Sequence, residues 1–364
     1  MKNALVHDFL QYYGGAEKCL EAFSEIYPKA PIYTIDYNSD NVKFLNKRRV
    51  KSTIARCFPF VKKYHNLYFA LYPFIVNSMK IKSEIVISSS YAFVKNVKKT
   101  KKQMHVCYCH TPARFLHGFE DSYLAKQHPL IRSILKPIIK CMQSWDVRSS
   151  KNVDHFIATC KNVKNRIKKY YKRDSVIINP FVDSKIFQLE KNKDDYYLFV
   201  GRLVLPYKKA DLAIRAFNKL GKPLKIVGGG RDSRYLKKIA KENIEFIGVK
   251  NDARKLAKLY QKARAVIFPS FDDFGMVPLE SQSCGTPVIA YAKGGALETV
   301  IEGKTGHFFH KQTPESLINA IKEFEKMRFS PEECRENILR FDKEIFKKKI
   351  KKFVDEKVKD WNKG

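Results

Sequence analysis

The carboxylates Asp272 and Glu280 stand eight residues apart in the segment Pro269-Ser270-Phe271-Asp272-Asp273-Phe274-Gly275-Met276-Val277-Pro278-Leu279-Glu280. The segment reads as a strand end, an acidic loop, Gly275 and a short helix from Val277 to Cys284, closed by Gly285 before another strand after Pro287. One acid then lies in the loop and the other in the first turn of the helix. They can approach one ligand from two sides, and carboxylates accept hydrogen bonds from vicinal diols. Backbone N–H groups at the helix start suit an anion or a sugar hydroxyl. The competing account is that Asp272 and Asp273 cap the helix and Glu280 is a solvated helix residue.

A second constellation is Gly201-Arg202-Leu203-Val204-Leu205-Pro206-Tyr207-Lys208-Lys209-Ala210. An arginine just past a strand and a lysine at the next helix start can neutralise a diphosphate as it departs. Lys209 could serve in place of Lys208, and in so lysine-rich a chain ordinary surface charge is the plainer account of either. Gly14-Gly15-Ala16-Glu17 follows the first strand and opens a helix, where paired glycines allow a phosphate or sugar to approach the backbone. In Cys107-Tyr108-Cys109-His110-Thr111-Pro112-Ala113-Arg114, His110 falls at a strand end before a proline, a place from which a side chain projects into a cleft. A satisfied structural histidine is the alternative. Cys107 and Cys109, with His105 and His110 nearby, could suggest a metal. Their alternation on an apolar strand is more simply core, and no metal is expected.

These residues need elements to hold them. In the second half, short apolar runs (Tyr196–Val200, Leu224–Val227, Ile244–Ile247, Ala265–Phe268, Val288–Tyr291) alternate with amphipathic stretches near Ala210–Leu220, Arg231–Ala240 and Ala253–Ala263. That is the βαβ rhythm of a parallel, doubly wound sheet, with glycines at the strand ends where such sheets bind ligands. The first half repeats the rhythm less tidily. Strand-like runs fall at Ala4–Val6, Pro31–Ile35, Ile85–Ile87, His105–Cys109, His155–Ala158 and Ser175–Ile178, with helical stretches near Ala16–Phe23 and Ile131–Arg148. A polar segment from Asn179-Pro180 to Asp195 marks the boundary between domains spanning residues 1–180 and 181–342. The basic helix Lys343–Trp361 carries Ile345, Phe346, Ile350, Phe353 and Val354 at helical spacing, and the first domain is the candidate for what it packs on.

Composition narrows the partners. A chain of 364 residues, 44% hydrophobic and 29% charged, is long enough for about two globular domains. It holds 70 basic and 37 acidic residues, net +33, which implies an anionic partner: nucleotide, nucleic acid or lipid headgroups. Eight cysteines spread without a CxxC pair point to a reducing, cytoplasmic compartment. The start moves straight into a short apolar run without the pattern of a signal peptide. The longest apolar stretch, Leu67–Val76, is interrupted by Pro73 and is half of the roughly 20 residues a spanning helix needs. Basic runs at Lys95–Lys102, Lys161–Arg173 and Lys347–Lys352 are ordinarily solvated faces, and no motif for specific nucleic-acid recognition accompanies them. The stretches Lys62–Phe69 and His128–Lys140 pair bulky apolar residues with basic ones, which suits a surface lying on an anionic bilayer or, equally, helical core packing.

The acid, seven residues, Glu pattern resembles the signature of the GT-B retaining glycosyltransferases of family 4 (glycosyl transferases group 1), with Asp272 where the family usually has Glu. Gly201–Asp211 is similar to the family's phosphate-binding stretch, with one residue inserted before Pro206, and Gly14-Gly15 to its first-domain donor loop. Tyr108-Cys109-His110-Thr111-Pro112-Ala113-Arg114, Val6-His7-Asp8, Ile87–Lys95 and Trp145-Asp146 resemble its O-antigen-type mannosyltransferases. The resemblance implies two Rossmann-like domains facing a cleft, with the C-terminal helix packing back on the first. It implies that Asp272 and the loop amides of Phe274, Gly275, Met276 and Val277 hold the transferred sugar, Glu280 the nucleotide ribose, Arg202 and Lys208 the pyrophosphate, and that His110 contacts the sugar. The implied activity is transfer, with retention, of mannose or another hexose from a GDP- or UDP-sugar to a glycan or lipid-linked acceptor in surface polysaccharide synthesis. It needs no metal or other cofactor, and the enzyme is expected in the cytoplasm, peripheral to a membrane. The alternatives are an epimerase or phosphorylase of the same fold, and a non-catalytic basic protein that binds polyanions.

Overall fold

In the computed structural model, which describes residues 1–53, 70–125 and 128–363, the strands form two wholly parallel sheets. The stretch Lys62–Phe69 lies outside the described residues. The chain divides into two units, residues 1–179 with 347–364, and residues 180–346.

The first unit carries β1 (Asn3–Leu10), β2 (Ile32–Tyr37), β3 (Val50–Ser52), β4 (Ile85–Ser90), β5 (Met104–Cys109), β6 (His155–Ala158) and β7 (Ser175–Ile177), ordered β3-β2-β1-β4-β5-β6-β7. Both central strands β4 and β5 are buried along their whole length, as a sheet covered by helices on both faces requires. The second unit carries β8 (Tyr197–Val200), β9 (Leu224–Val227), β10 (Ile244–Gly248), β11 (Ala265–Phe268), β12 (Val288–Tyr291) and β13 (Gly306–Phe309), ordered β10-β9-β8-β11-β12-β13. In each sheet the direction of winding reverses once, between β1 and β4 and between β8 and β11. At such a reversal the two flanking loops turn away from each other and leave a crevice at the carboxyl ends of the strands.

Each unit has its own core. Ala4, Val6, Tyr72, Val86, Phe93 and Met142 belong to that of the first, and Phe199, Ile214, Phe217, Ile226, Ile267 and Ile321 to that of the second. The division departs from the sequence boundaries by a few residues. Pro180 and residues 343–346 belong to the second unit, because the Lys343 amide donates to the Val182 carbonyl at 3.1 Å and Phe346 packs on Phe181. From Lys347 the same helix belongs to the first unit, where Lys347 pairs with Glu25 at 3.2 Å and Phe353 meets His155 edge-on.

Candidate active site

In the second unit the loops after β8 and β11 bracket the reversal. Glycine lets three backbones crowd there. A Cβ on Gly228, whose φ is +143°, would stand 1.9 Å from the Gly201 carbonyl oxygen, and one on Gly230 would stand 2.4 Å from that of Leu203. The Leu203 amide in turn donates to the Gly229 carbonyl at 2.9 Å, so the loop bearing Arg202 is fixed against the glycine run after β9. Arg202 is exposed and has no ion-pair partner among the described residues. Lys208 is directed inward: its Nζ lies 2.5 Å from Asp272 Oδ2. Lys209 is spent otherwise, as the left-handed residue (φ +53°) from which the helix Ala210–Leu220 starts.

The acidic loop is held from below. The Gly295 amide donates to the Asp272 carbonyl at 3.1 Å, and a Cβ on Gly295 would come within 2.0 Å of the Phe274 carbonyl oxygen. Gly275 has φ +83°, the turn that lets the chain enter the helix Val277–Ser283. The Phe274 side chain is buried against Phe341, so what this residue can offer a ligand is its backbone. Met276 and Val277 are half-buried at the helix start. Glu280 is not the exposed residue that a helix end above the strands suggested: it is 4% exposed, and its Oε2 accepts from the Tyr260 hydroxyl at 2.9 Å. Burial and the neighbouring Glu280 carboxylate push the Tyr260 phenol well above its usual pKa, which keeps it a donor. At the other end of this helix Lys193 donates to the Cys284 carbonyl at 3.1 Å and to Thr286, a cation on the negative pole of the helix.

The first unit builds its crevice between β1 and β4. His7 and Asp8, read from the sequence as following a strand, lie inside β1 and are fully buried. Asp8 accepts from the amides of Tyr91, Ala92, Phe93 and Val94 at 2.6–2.9 Å and from the Ser90 hydroxyl at 3.1 Å, so one carboxylate shapes the loop after β4. Gly14 and Gly15 open the helix Gly15–Ile26, where Glu17 accepts from the Gly14 amide at 2.8 Å and lies 3.3 Å from His7 Nε2. His110 directly follows β5. Its amide donates to the Ser90 carbonyl at 2.8 Å, its ring stands edge-on to Tyr108 and Tyr91, and its Nε2 lies 2.8 Å from Ser89 Oγ. Burial, with His7 adding to it, lowers the His110 pKa to about 3, so the imidazole is neutral at ordinary pH.

Behind this crevice Asp146 joins Lys95, Asn96, His117 and Tyr171 in a buried cluster. Burial alone would raise the Asp146 pKa; Lys95 and His117 outweigh it and hold the carboxyl below its usual range. Cys107 and Cys109 are both fully buried on β5. Sequence alone does not pair Ser89, which lies within the Ile87–Lys95 stretch, with His110, nor Tyr260 with Glu280, nor Gly295 with the Asp272 loop, since nothing in their local pattern says which distant residue they meet.

Two parallel Rossmann-like sheets, each with its polar constellation at the reversal of winding, are the architecture of the GT-B fold. Residues 181–341 match the family model of the glycosyl transferases group 1. An uncharacterised glycosyltransferase of Methanocaldococcus jannaschii is 26% identical over 96% of this chain and 94% of its own length. The alpha-1,3/1,6-mannosyltransferase ALG2 of Dictyostelium discoideum is 24% identical over 70% of both chains. Among solved structures, HepE of Anabaena in complex with UDP superposes with a TM-score of 0.71 over 98% of this chain and all of that one, at 16% identity.

Proposed function

We propose that this chain is a glycosyltransferase that moves a hexose, mannose in the first instance, with retention from a nucleoside-diphosphate sugar to a glycan or lipid-linked acceptor in surface polysaccharide synthesis. The observation that carries this reading is the cationic loop at the reversal of the second sheet, where Lys208 meets Asp272 and Arg202 stands exposed without an ion-pair partner among the described residues. A departing diphosphate needs positive charge, and a sugar needs a nearby carboxylate to accept from its hydroxyls. The complexes of HepE with UDP and UDP-glucose support a nucleotide sugar as donor, and the similarity to ALG2 supports mannose. Asp272 and the amides from Phe274 to Val277 take the sugar, Glu280 the ribose, Arg202 and Lys208 the pyrophosphate. Within the first unit, His110 is assigned to a sugar contact and the Gly14-Gly15 loop to a phosphate or sugar contact.

On this reading the cations do what a divalent metal does in other transferases, and no cofactor is required. Transfer from the preferred donor should persist unchanged in EDTA. Loss on chelation, with recovery on adding Mg²⁺ or Mn²⁺, would show that the diphosphate is neutralised in another way. Incubation with donor alone separates the readings of this fold, since an epimerase converts the sugar whereas a transferase at most hydrolyses it slowly.

The enzyme works at an anionic membrane surface. The helix Pro129–Ser149 supports this: Ile139 and Met142 face the core, while Leu130, Ile131 and Ile134 are exposed beside Arg132 and Lys136. No helix among the described residues is long and apolar enough to cross a membrane.

A further inference from the structure

The hydrogen bond between Ser89 and His110 decides which ring nitrogen is available to a ligand. Ser89 is fully buried in the middle of the sheet, in register with His7 on β1 and Tyr108 on β5. Its hydroxyl lies 2.8 Å from His110 Nε2, and no other partner of that hydroxyl exists among the described residues. A buried hydroxyl proton without an acceptor is costly, and Nε2 is the acceptor within reach. The Ser89 proton therefore points at Nε2, and a neutral imidazole that accepts at Nε2 carries its own proton on Nδ1. Were Nε2 the protonated nitrogen, Ser89 would receive that proton and its own would be left buried and unmatched.

Nδ1 has no partner among the described residues, and it is not among the polar atoms sealed from solvent. The ring is otherwise fixed by the His110 amide on Ser90, by Thr159, whose hydroxyl donates to the His110 carbonyl at 3.3 Å, and by the edges of Tyr108 and Tyr91. We infer that Ser89 is a positioning residue that holds His110 in its Nδ1–H tautomer, so that His110 meets a sugar ligand as a hydrogen-bond donor to one of its oxygens. The inference rests on the proposed transfer reaction for the identity of the ligand but not for the tautomer. It removes His110 from consideration as a general base at Nδ1, because that nitrogen already bears a proton. The acceptor hydroxyl must lose its proton elsewhere.

The test is proton-detected multiple-bond ¹H–¹⁵N correlation on the full chain labelled at histidine, with His110 assigned by its disappearance in His110→Gln. Wild-type protein should show a protonated Nδ1 and a bare Nε2. Ser89→Ala should shift His110 towards the other tautomer or a mixture, and Ser89→Thr, which keeps the hydroxyl in a strand, should restore it. In steady-state transfer Ser89→Ala should lower kcat about tenfold, the worth of one oriented hydrogen bond, with the donor KM within about twofold and recovery in Ser89→Thr. A protonated Nε2 in the wild type, or a tautomer unchanged in folded Ser89→Ala, overturns the inference. A protein with the Nδ1–H tautomer but no transfer from any nucleotide sugar upholds the role of Ser89 and overturns the proposed reaction instead.

Discussion

Asp272 and Lys208 pair at 2.5 Å between side chains that are 18% and 26% exposed. On the proposed reading a donor sugar competes for that carboxylate and its pyrophosphate for that ammonium, and the pair holds the two charges together until then. Lys208→Ala and Glu280→Gln should each reduce transfer by roughly 30-fold or more, the effect of removing a charged partner of a bound ligand, which is about 2–5 kcal/mol. The two differ in what else they disturb. Glu280 is buried on Tyr260, so its substitution is made with an isosteric amide and checked by thermal unfolding, whereas Lys208→Ala leaves a half-exposed Asp272 that water can reach. Activity within about threefold of wild type for both would show that donor binding lies elsewhere. The candidate acids and cations could be proposed from the sequence because their motifs carry them. The contacts Tyr260 makes with Glu280 and Ser89 makes with His110 could not, since both come from tertiary packing.

At the scale of elements, the short strands of the second unit matched their apolar runs closely, β11 and β12 because a strand buried on both faces reads as an unbroken apolar segment, β9 and β10 despite Lys225 and Glu245. That regularity fails at two of the sheet edges: β3 (Val50–Ser52) and β13 (Gly306–Phe309) are short, partly exposed and contain polar or glycine residues, and neither stood out from its surroundings. The helix Lys161–Tyr171 was hidden in a basic run, although Val163, Ile167 and Tyr171 form its buried stripe at four-residue intervals. β1 continued past the expected Val6 to Leu10, because the amides after β4 offer His7-Asp8 a reason to be buried that apolar patterning does not register. The loops are as specific as the strands. Gly295→Ala would place a methyl group 2.0–2.3 Å from the Phe274 backbone, so the Asp272–Gly275 loop must move. We expect transfer to fall by at least about tenfold together with a lower unfolding temperature, while Gly303→Ala, at φ +72° with no atom within 4 Å, should strain its turn but leave transfer near wild type. Equal transfer in the two variants would mean that the loop position does not govern the reaction.

For the whole molecule, the net charge of +33 exceeds what two cation side chains at a donor site explain. Basic residues near an anionic bilayer contribute about 1 kcal/mol each, and the exposed Leu130, Ile131 and Ile134 supply apolar contact beside them. The protein should co-sediment with vesicles of anionic lipid, release towards roughly 0.5 M salt as the Debye length falls to a few Å, and bind neutral vesicles poorly. Leu130→Glu combined with Ile134→Glu should weaken vesicle binding without changing the unfolding temperature. Equal binding to neutral and anionic vesicles, or none to either at low salt, would remove the membrane from the account.

The central claim is that the second unit holds a nucleoside-diphosphate sugar through the cations after β8. Isothermal titration calorimetry against UDP-, GDP- and ADP-sugars tests it most directly, on the wild type and on Arg202→Ala, whose exposed side chain can be removed without opening the core. The account predicts saturable binding of at least one nucleotide sugar by the wild type and an affinity loss of roughly 30-fold in the variant. Binding of none of them, or binding that Arg202→Ala leaves unchanged, would contradict it.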